Sequence, residues 1–433
     1  MEYKPRTGLI VTILILLAIL ATGVYYFYIK EPAPTGTGTN QPTLQNPFKP
    51  LPSTDTKNPQ QVTTVDPIAT STDSSNAQPI ILPKLRKLAE GPISGAIATS
   101  TFDGLAIRYV DRGLGHIYEI LATSSKITKL SNVTVPHVYE AYWASNAGEV
   151  LLRYLRDEAA APTDTILKIT AEKKKVPIYA EGSASTTIGT TTVMVYTPST
   201  QALGLSPLTS VISPLGKSFS IFLEGVNGVG YVSPINSLKK TKILDSPITG
   251  WLTQWPTEST ITLTTKPLSS TSGYLFFLDA KTGSMKRILS SIKGLTTLTN
   301  SMLDRVLYAE YNSNTVVTKI LNLKDNTTVT TLYKTLPEKC VWSKIDRYSL
   351  YCAIPIDMPG TQYPDKWYTG EMSFNDQVWY INTQTSDVEL LSSPLKDTGQ
   401  NLDAIELSLD PKEQVLIFTN KKDLSLWMID LTR

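Results

Sequence analysis

The sequence predicts an all-β protein in which about seven four-stranded blades form a β-propeller, with six or eight blades as alternatives. The chain of 433 residues is rich in Thr, Ser, Tyr, Val and Ile, and only 18% of its residues are charged. This composition favours strands with a hydroxyl-rich surface over a helical bundle. From residue 80 onward, short apolar runs alternate with turn signals, and no long helical period is present. One four-strand unit then recurs along the chain.

The clearest copy of this unit lies between Ile248 and Leu289. Apolar or β-branched runs are joined there by the polar turn PTES, a variable loop and the turn AKTGS. Alternation of this kind is typical of antiparallel strands connected by hairpins. The four predicted strands are Trp251 to Trp255, Thr260 to Thr265, Tyr274 to Asp279 and Met285 to Leu289.

The first turn of the unit recurs seven times. Most copies lie about 42 to 45 residues apart, the length of a four-stranded blade, and two gaps are about 25 residues longer. A β-sandwich, the alternative all-β fold, predicts less regular spacing. The copies are TFDG at Thr101, ASNAG at Ala144, SPLG at Ser213, PTES at Pro256, SMLD at Ser301, SKID at Ser343 and DPKE at Asp410.

The two ends of the repeat region complement each other. The last unit stops near Asp430, where its fourth strand should begin. The segment ILPKLRKL at Ile81 to Leu88 has the Lys and Leu pattern of a fourth strand, as in MKRIL. We therefore expect this N-terminal strand to complete the last blade and to remove the exposed sheet edges of an open ring. The predicted propeller spans residues 80–433.

Three of the turn motifs carry a resemblance to a known superfamily. SPLGKSFSIF, WSKIDRYSLY and LDPKEQVLIF resemble the S-P-D-G-x-x-ϕ-x-ϕ repeat of TolB-like, WD40-type β-propellers. The resemblance covers about four fifths of the chain and is to the superfamily, with no particular member favoured. It implies a binding scaffold and does not indicate the partner.

The N-terminal segment predicts one transmembrane helix. From Gly8 to Ile29 the chain has about 22 residues without a charge, enough to cross the hydrocarbon core of a bilayer. The aromatic cluster Tyr25 to Tyr28 would lie at the lipid headgroups. Lys4 and Arg6 precede the helix, so the positive-inside tendency places residues 1–7 in the cytoplasm and the rest of the chain outside the plasma membrane.

Residues 30–79 are dominated by Pro, Thr, Ser, Asn and Gln. Such a segment cannot bury a core, so it predicts a disordered linker with a reach of roughly 40 Å. The lipid bilayer is thus the first predicted partner, contacted by a signal anchor. The alternative is a cleaved signal peptide, because Ala21 to Gly23 resembles a small-residue cleavage site.

The chain has only two cysteines, Cys340 and Cys352, which flank the turn at Lys344 to Arg347. A hairpin centred on this turn places them opposite each other on adjacent antiparallel strands. In an oxidising extracytoplasmic compartment we expect them to form a disulfide. The alternative is a pair of buried free thiols that pack as small apolar groups.

Two long insertions are expected on one face of the propeller. Gly182 to Leu205 would lie between blades, and Asp357 to Asp376 between the second and third strands of the cysteine-containing blade. The second insertion contains residue types that are common in binding hot spots, although these side chains could also fold inward. The partner-binding candidates are Tyr363, Trp367, Tyr368, Met372 and Phe374.

Composition and motifs argue against several functions. The 40 basic and 38 acidic residues are spread along the chain, which gives no sign of a nucleic-acid partner. With two His and no recognisable catalytic motif, we predict no enzyme, cofactor or metal. The leading hypothesis is a membrane-tethered scaffold for an envelope protein or surface polymer. The alternatives are a glycan- or peptide-processing enzyme with carboxylates in the propeller funnel, and a structural subunit of a surface assembly.

Overall fold

The structure, a computed structural model, describes residues 82–155, 162–179, 187–202, 207–234, 239–358 and 363–433. All of them belong to one compact unit, Ala77–Arg433. The predicted transmembrane helix at 8–29 lies outside the described residues, as does the predicted linker at 30–79. Within the described part of the chain, no helix has the length and apolar character needed to cross a membrane. The domain boundaries remain predictions.

The described strands form seven four-stranded antiparallel sheets, which confirms the predicted all-β propeller and fixes the blade number at seven. Blade 1 contains β2 (Ile93–Thr101), β3 (Gly104–Asp111), β4 (Ile117–Leu121) and β5 (Ile127–Lys129); blade 2 contains β6 (Val138–Trp143), β7 (Glu149–Leu155), β8 (Pro162–Tyr179) and β9 (Thr187–Ala202). Blade 3 contains β10 (Thr209–Ile212), β11 (Lys217–Glu224), β12 (Asn227–Pro234) and β13 (Thr241–Ser246); blade 4 contains β14 (Trp251–Thr257), β15 (Thr260–Thr265), β16 (Ser272–Asp279) and β17 (Met285–Lys293).

The last three blades follow the same plan, with short helices in their connections. Blade 5 contains β18 (Thr296–Thr299), β19 (Arg305–Asn312), β20 (Thr315–Asn322) and β21 (Thr327–Thr330); blade 6 contains β22 (Cys340–Trp342), β23 (Ser349–Pro355), β24 (Asp376–Asn382) and β25 (Val388–Ser392); blade 7 contains β26 (Ala404–Leu409), β27 (Val415–Asn420), β28 (Leu426–Asp430) and β1 (Leu85–Ala89). The helices are a 3₁₀ turn at Pro337–Lys339, α1 at Asp365–Tyr368 and α2 at Pro394–Thr398.

The hydrophobic core lies between neighbouring blades. Between blades 3 and 4, for example, Phe219 and Ile221 pack against Trp251 and Trp255, and the rings of Phe219 and Trp255 meet edge-on with centroids 6.4 Å apart. All four side chains are buried. Each contributes about 1.5–3 kcal/mol of hydrophobic stabilisation, so blade-to-blade packing holds the ring together.

The ring is closed by the N-terminal strand, as the sequence predicts. Strand β1 pairs antiparallel with β28, with Leu85 opposite Ile429 and Lys87 opposite Trp427. Leu85 and Trp427 are buried in the core of blades 6 and 7. The guanidinium of Arg433 donates to the carbonyl of Leu82 at 2.6 Å, so the two described ends of the propeller lie side by side.

The antiparallel strand order gives the propeller two different faces. The turn face carries the connections between first and second strands and between third and fourth strands. The loop face carries the connections between second and third strands and those between blades. Because β1 is the fourth strand of blade 7 and Leu85 lies opposite the end of β28, the chain enters the propeller from the turn face.

The prediction that residues 182–205 lie between blades on the loop face is wrong. Most of this segment forms β9, the fourth strand of blade 2. Glu149 at the start of β7 lies opposite Lys168, and β8 continues beyond Lys168 for 11 residues that pair with β9. This two-stranded arm extends roughly 35 Å from the turn face. The β-branched run in β9 favours a strand where a loop was expected.

We predict that deletion of residues 80–90 lowers the melting temperature by about 10 °C or more. The deletion exposes the edge of β28 and removes the burial of Leu85 and Leu88, which stabilises the fold by about 4 kcal/mol. Calorimetry on chains lacking residues 1–30 measures this loss. Deletion of residues 31–76, the predicted linker, is the control and should leave the melting temperature unchanged. Equal melting of both deletions would contradict closure by β1.

Candidate functional site

The two cysteines are joined as predicted. Cys340 in β22 lies directly opposite Cys352 in β23, and a disulfide connects them with their Cα atoms 4.1 Å apart. Both are buried beside Trp342 and Leu350 in the core between blades 5 and 6. The disulfide therefore fixes the first strand of blade 6 to the second strand, next to the central channel.

The loop between β23 and β24 forms a cap on the loop face, defined here as residues 363–376. Tyr363, Trp367 and Phe374 are buried in one cluster, and the ring centroids of Tyr363 and Phe374 are 5.7 Å apart. These three candidate side chains therefore pack inward, which is the alternative that the sequence left open. Tyr368 is exposed and Met372 is half-buried. The partner-binding role of these five residues remains a prediction.

Hydrogen bonds fasten the cap to two distant blades. The carboxylate of Asp365 accepts the backbone N–H and the hydroxyl of Ser269 in blade 4, at 2.8 and 2.5 Å. Asp403, directly before β26 in blade 7, accepts the indole N–H of Trp367 at 3.1 Å and the N–H of Phe374 at 3.0 Å. The cap thus spans the loop face from blade 4 to blade 7.

Beneath the cap lies a fully buried lysine with two carboxylates. The ammonium group of Lys339 donates to Asp376 at 2.7 Å, to Asp403, and to the carbonyl of Ala404 at 3.0 Å. Asp376 also accepts the N–H of Ala404 at 2.7 Å, whereas its Oδ1 atom has no partner among the described residues. Burial raises the pKa of Asp376 to about 6, although the charge of Lys339 opposes the shift. We call these three residues the buried triad.

A central channel runs between the first strands of the seven blades. It encloses a cavity of about 630 Å³ to which every first strand contributes. The lining includes Ser145, Pro214, Ser301 and Lys344, which lie in turns between first and second strands. The cavity therefore opens on the turn face, and its volume is typical of ligand-binding pockets.

Three tryptophans line this cavity at equivalent positions of blades 2, 4 and 6. The indole N–H of Trp143 donates to the carbonyl of Gly95 at 3.4 Å, and that of Trp342 to the carbonyl of Leu298 at 3.1 Å. Each bond reaches the first strand of the preceding blade. The indole N–H of Trp255 is buried without a partner among the described residues, which distinguishes it from the other two.

Glu406 enters the cavity from an irregular point in β26. The strand bulges between Ile405 and Ser408, and Glu406 has a φ of 55°, which is costly for a residue other than glycine. Its side chain is exposed to the channel, where the hydroxyl of Thr419 donates to the carboxylate at 3.1 Å. Partial loss of solvation inside the channel raises the pKa of Glu406; the charge of Glu140 adds to the increase, and the charge of Arg112 opposes it.

Glu140 is a second carboxylate near the same wall of the channel. Its Oε2 atom forms an ion pair with Arg153 at 2.6 Å and accepts the hydroxyl of Tyr142 at 3.0 Å. Burial and the negative charge of Glu140 raise the pKa of Tyr142 well above its ordinary value. Among the described residues, no group of three or more His, Cys, Asp or Glu is arranged to hold a metal ion.

Four exposed apolar side chains surround the mouth of the channel. They occupy the tips of turns between first and second strands, where polar residues are usual, and they are 39–78% exposed. We call this group the apolar rim: Phe102, Leu215, Met302 and Ile345.

The turns that carry the rim are bonded to one another. The carboxylate of Glu413 in blade 7 accepts the hydroxyl of Ser343 and the N–H of Lys344 in blade 6, both at 2.8 Å. The carboxylate of Glu258 in blade 4 accepts the N–H of Leu215 in blade 3 at 2.6 Å. These bonds brace the turns that carry Leu215 and Ile345 against turns of the next blade.

Sequence reasoning found the turns but missed most of the site. The motifs TFDG, SPLG, SMLD and SKID contain the four rim residues. The apolar residue in each otherwise polar turn is the signal that could have identified the rim. Lys339, Asp403 and Glu406 have no local motif, and only the ring brings them close to their partners.

The chain has the β-propeller fold that the turn motifs predicted. No protein-family model matches the sequence, and no curated protein matches it. The structure is similar to TolB from Acinetobacter baumannii, with 11% identity, a TM-score of 0.38, and coverage of 69% of this chain and 63% of TolB. The chain thus spans less than two thirds of the length of TolB.

Two other similar structures cover more of their own chains. For the β-propeller domain of the Trilobed protease from Pyrococcus furiosus, the identity is 8%, the TM-score 0.47, and the coverage 79% of this chain and 95% of that domain. For an oligogalacturonate lyase in complex with manganese, the identity is 9%, the TM-score 0.47, and the coverage 76% and 85%. These similarities concern the fold alone.

Reduction of the disulfide should destabilise the protein by about 3 kcal/mol, because the bridge closes a short loop in the unfolded chain. Thermal unfolding with and without dithiothreitol measures the loss. A Cys340→Ala/Cys352→Ala double variant should melt like the reduced protein and should not respond to dithiothreitol. Equal melting of the oxidised and reduced wild type would contradict a stabilising bridge.

The buried triad predicts a pH effect on stability. The folded-state pKa of Asp376 is about 6, above the ordinary value of 3.8, so the folded state binds more protons between these values. The stability contributed by protonation is present below the ordinary value and is lost as pH rises through about 6. Between pH 4.5 and 7.5 we expect wild type to lose about 2 kcal/mol relative to Asp376→Asn.

Urea unfolding at both pH values measures this difference. Asp403→Asn is the matched control, because it makes the same chemical change in the same cluster. We expect Asp403→Asn to be destabilised at both pH values, since Asp403 accepts bonds from Lys339, Trp367 and Phe374. Parallel pH dependences for wild type and Asp376→Asn would show that Asp376 does not titrate in this range.

Proposed function

We propose that the chain is a membrane-tethered, extracytoplasmic β-propeller that binds a protein partner on its turn face. The observation that carries the proposal is the apolar rim around the mouth of the channel. Exposed apolar groups around a concave, aromatic-lined site are typical of binding surfaces. The bonds between the turns support this role, because a surface that is already ordered loses less entropy on binding.

The entry point of the chain supports a partner at the membrane. Residue 82 follows the predicted linker directly, and β1 begins at the turn face. The predicted helix at 8–29 and the predicted linker, with a reach of roughly 40 Å, would tether the propeller to the bilayer. The partner would then be an envelope protein at the outer surface of the plasma membrane. The arm formed by β8 and β9 extends from the same face and adds surface for such a partner.

Docking through the cap on the loop face has less support. Three of its five aromatic or sulfur-containing candidates pack into the core, and Tyr368 donates its hydroxyl to Glu338. Only the exposed side of Tyr368 and part of Met372 remain for a partner. The turn face combines four exposed apolar tips with an open cavity, so it is the surface that we propose for binding.

One observation favours an extracytoplasmic enzyme as the second candidate. Glu406, whose pKa burial raises, and Glu140, which is paired with Arg153, lie close enough for the charge of one to act on the other. Two carboxylates in different environments can divide acid and base roles between them. Turnover of a peptide or oligosaccharide that Glu406→Gln abolishes would favour this candidate over a scaffold.

Site-specific photocrosslinking in the native membrane tests the scaffold. A photoreactive amino acid at position 102, 215 or 345 should give the same discrete protein adduct, because these tips surround one docking surface. The matched control is position 226 in the turn between β11 and β12 on the loop face, where Val226 is 84% exposed. We expect no such adduct there.

The triple variant Phe102→Ser/Leu215→Ser/Ile345→Ser extends the test. These side chains are exposed, so the melting temperature should stay within a few degrees of wild type. We expect co-purification of the crosslinked partner to fall at least tenfold, whereas Val226→Ser should retain it. Adducts of equal yield at positions 226 and 345, or a partner retained by the triple variant, would refute docking on the turn face.

A further inference from the structure

We propose that the channel binds the ammonium or guanidinium group of a lysine or arginine in a partner segment, and that Glu406 pairs with this group. The inference rests on the proposed function, because the segment enters through the turn face. It adds the chemistry that the partner must carry. Three features of the cavity support it.

The first feature is the isolation of the Glu406 carboxylate. Its hydrogen bond from Thr419 is neutral, and no ion pair joins it to a cationic side chain in the described part of the chain. The nearby Glu140 already has Arg153 as its partner. The Glu406 side chain is exposed in the channel, so a cation from outside can reach its carboxylate and form a charge-assisted hydrogen bond there.

The second feature is the backbone that presents this carboxylate. The bulge in β26 holds Glu406 at a φ of 55°, and a strained position of this kind is common at ligand sites. The neighbouring first strand β2 contributes only Gly95, Ala96 and Ile97 to the lining. Its two small residues leave space beside the carboxylate. A side chain at Gly95 is not accommodated, since its Cβ would lie 2.3 Å from the carbonyl oxygen of Ala141.

The third feature is a pair of unpartnered polar groups on the opposite side of the ring. The indole N–H of Trp255 in blade 4 and the hydroxyl of Thr299 in blade 5 belong to side chains that line the same cavity. Both residues are only 6% exposed, and neither polar atom has a partner among the described residues. Buried donors normally find an acceptor. Both atoms lie within the cavity wall, so a small rotation of either side chain would let it bond to a carbonyl group of an extended peptide whose basic side chain reaches Glu406.

A peptide fits these features better than a neutral glycan. The apolar rim would contact apolar side chains that flank the basic residue, and Trp143 and Trp342 line the walls on either side. A cation also gains from aromatic faces nearby. A glycan would leave the rim without an apolar partner and Glu406 without a counter-ion.

Isothermal titration calorimetry on the full chain in detergent tests the inference. The probes are acetyl-Leu-Arg-Leu-amide, its Lys and Gln counterparts, and chitotriose. We expect the Arg or Lys peptide to bind at least tenfold more tightly than the Gln peptide. Glu406→Gln should remove this preference. Glu389→Gln, a change in an exposed carboxylate of β25, should keep it. Equal melting temperatures of both variants would show that the fold is intact.

Trp255→Phe separates the channel from other surfaces, because it keeps an aromatic ring and removes the unpartnered N–H. We expect this substitution to lower the affinity for the Arg peptide severalfold. Any one of four results would overturn the inference. Neither basic peptide binds, the Arg and Gln peptides bind equally, Glu406→Gln keeps the preference for the basic peptides, or only chitotriose binds. If the photocrosslinks at the rim persist in any of these cases, the scaffold function stands and only the cation chemistry fails. If the basic peptides bind but the rim gives no crosslink, the cation site in the channel stands and docking of a protein partner on the turn face fails.

Discussion

The pairing of β1 with β28 is the constraint on which the other features depend. A seven-bladed ring encloses a channel only when its first and last blades are held together, and here one strand from the N-terminal end of the propeller completes the last sheet. The blades pack through side chains that are buried only between neighbours, so an open ring would expose a core at each end. Closure also sets the direction from which the preceding chain arrives, because a fourth strand begins at the turn face.

The two faces of the ring are stabilised by different interactions. On the turn face, backbone and hydroxyl groups of one blade bond to a carboxylate of the next, as Glu258 and Glu413 show. On the loop face, the half-buried contact between Asp365 and Ser269 joins the cap to blade 4, and the fully enclosed triad joins blades 6 and 7. An enclosed ion pair often contributes little net stability, although removal of one partner is costly. The triad therefore fixes the position of the cap rather than providing the main stabilisation.

The parts of this structure that sequence predicts are those encoded locally. A turn motif and the two strands beside it lie within about 20 residues, so the seven copies and the pairing of Cys340 with Cys352 follow from spacing alone. Strand β1 was predicted because its composition matches other fourth strands. The buried triad combines residues 339, 376 and 403 from three separate connections, and no local pattern predicts such a meeting. The arm of β8 and β9 was missed because residues 182–205 lengthen the regular repeat spacing and were therefore interpreted as an insertion.

The contrast between the triad and Glu406 shows which irregularities indicate function. Lys339 has three oxygen partners, and Asp403 accepts bonds from the cap as well as from Lys339, so the triad is largely satisfied within the fold. Glu406 combines an unfavourable backbone conformation with a carboxylate that forms no ion pair within the described part of the chain. Strained backbone conformations and polar groups without partners in the fold are concentrated at functional sites. The compensation for Glu406 is then expected from a ligand, and the channel is the route by which a ligand reaches it.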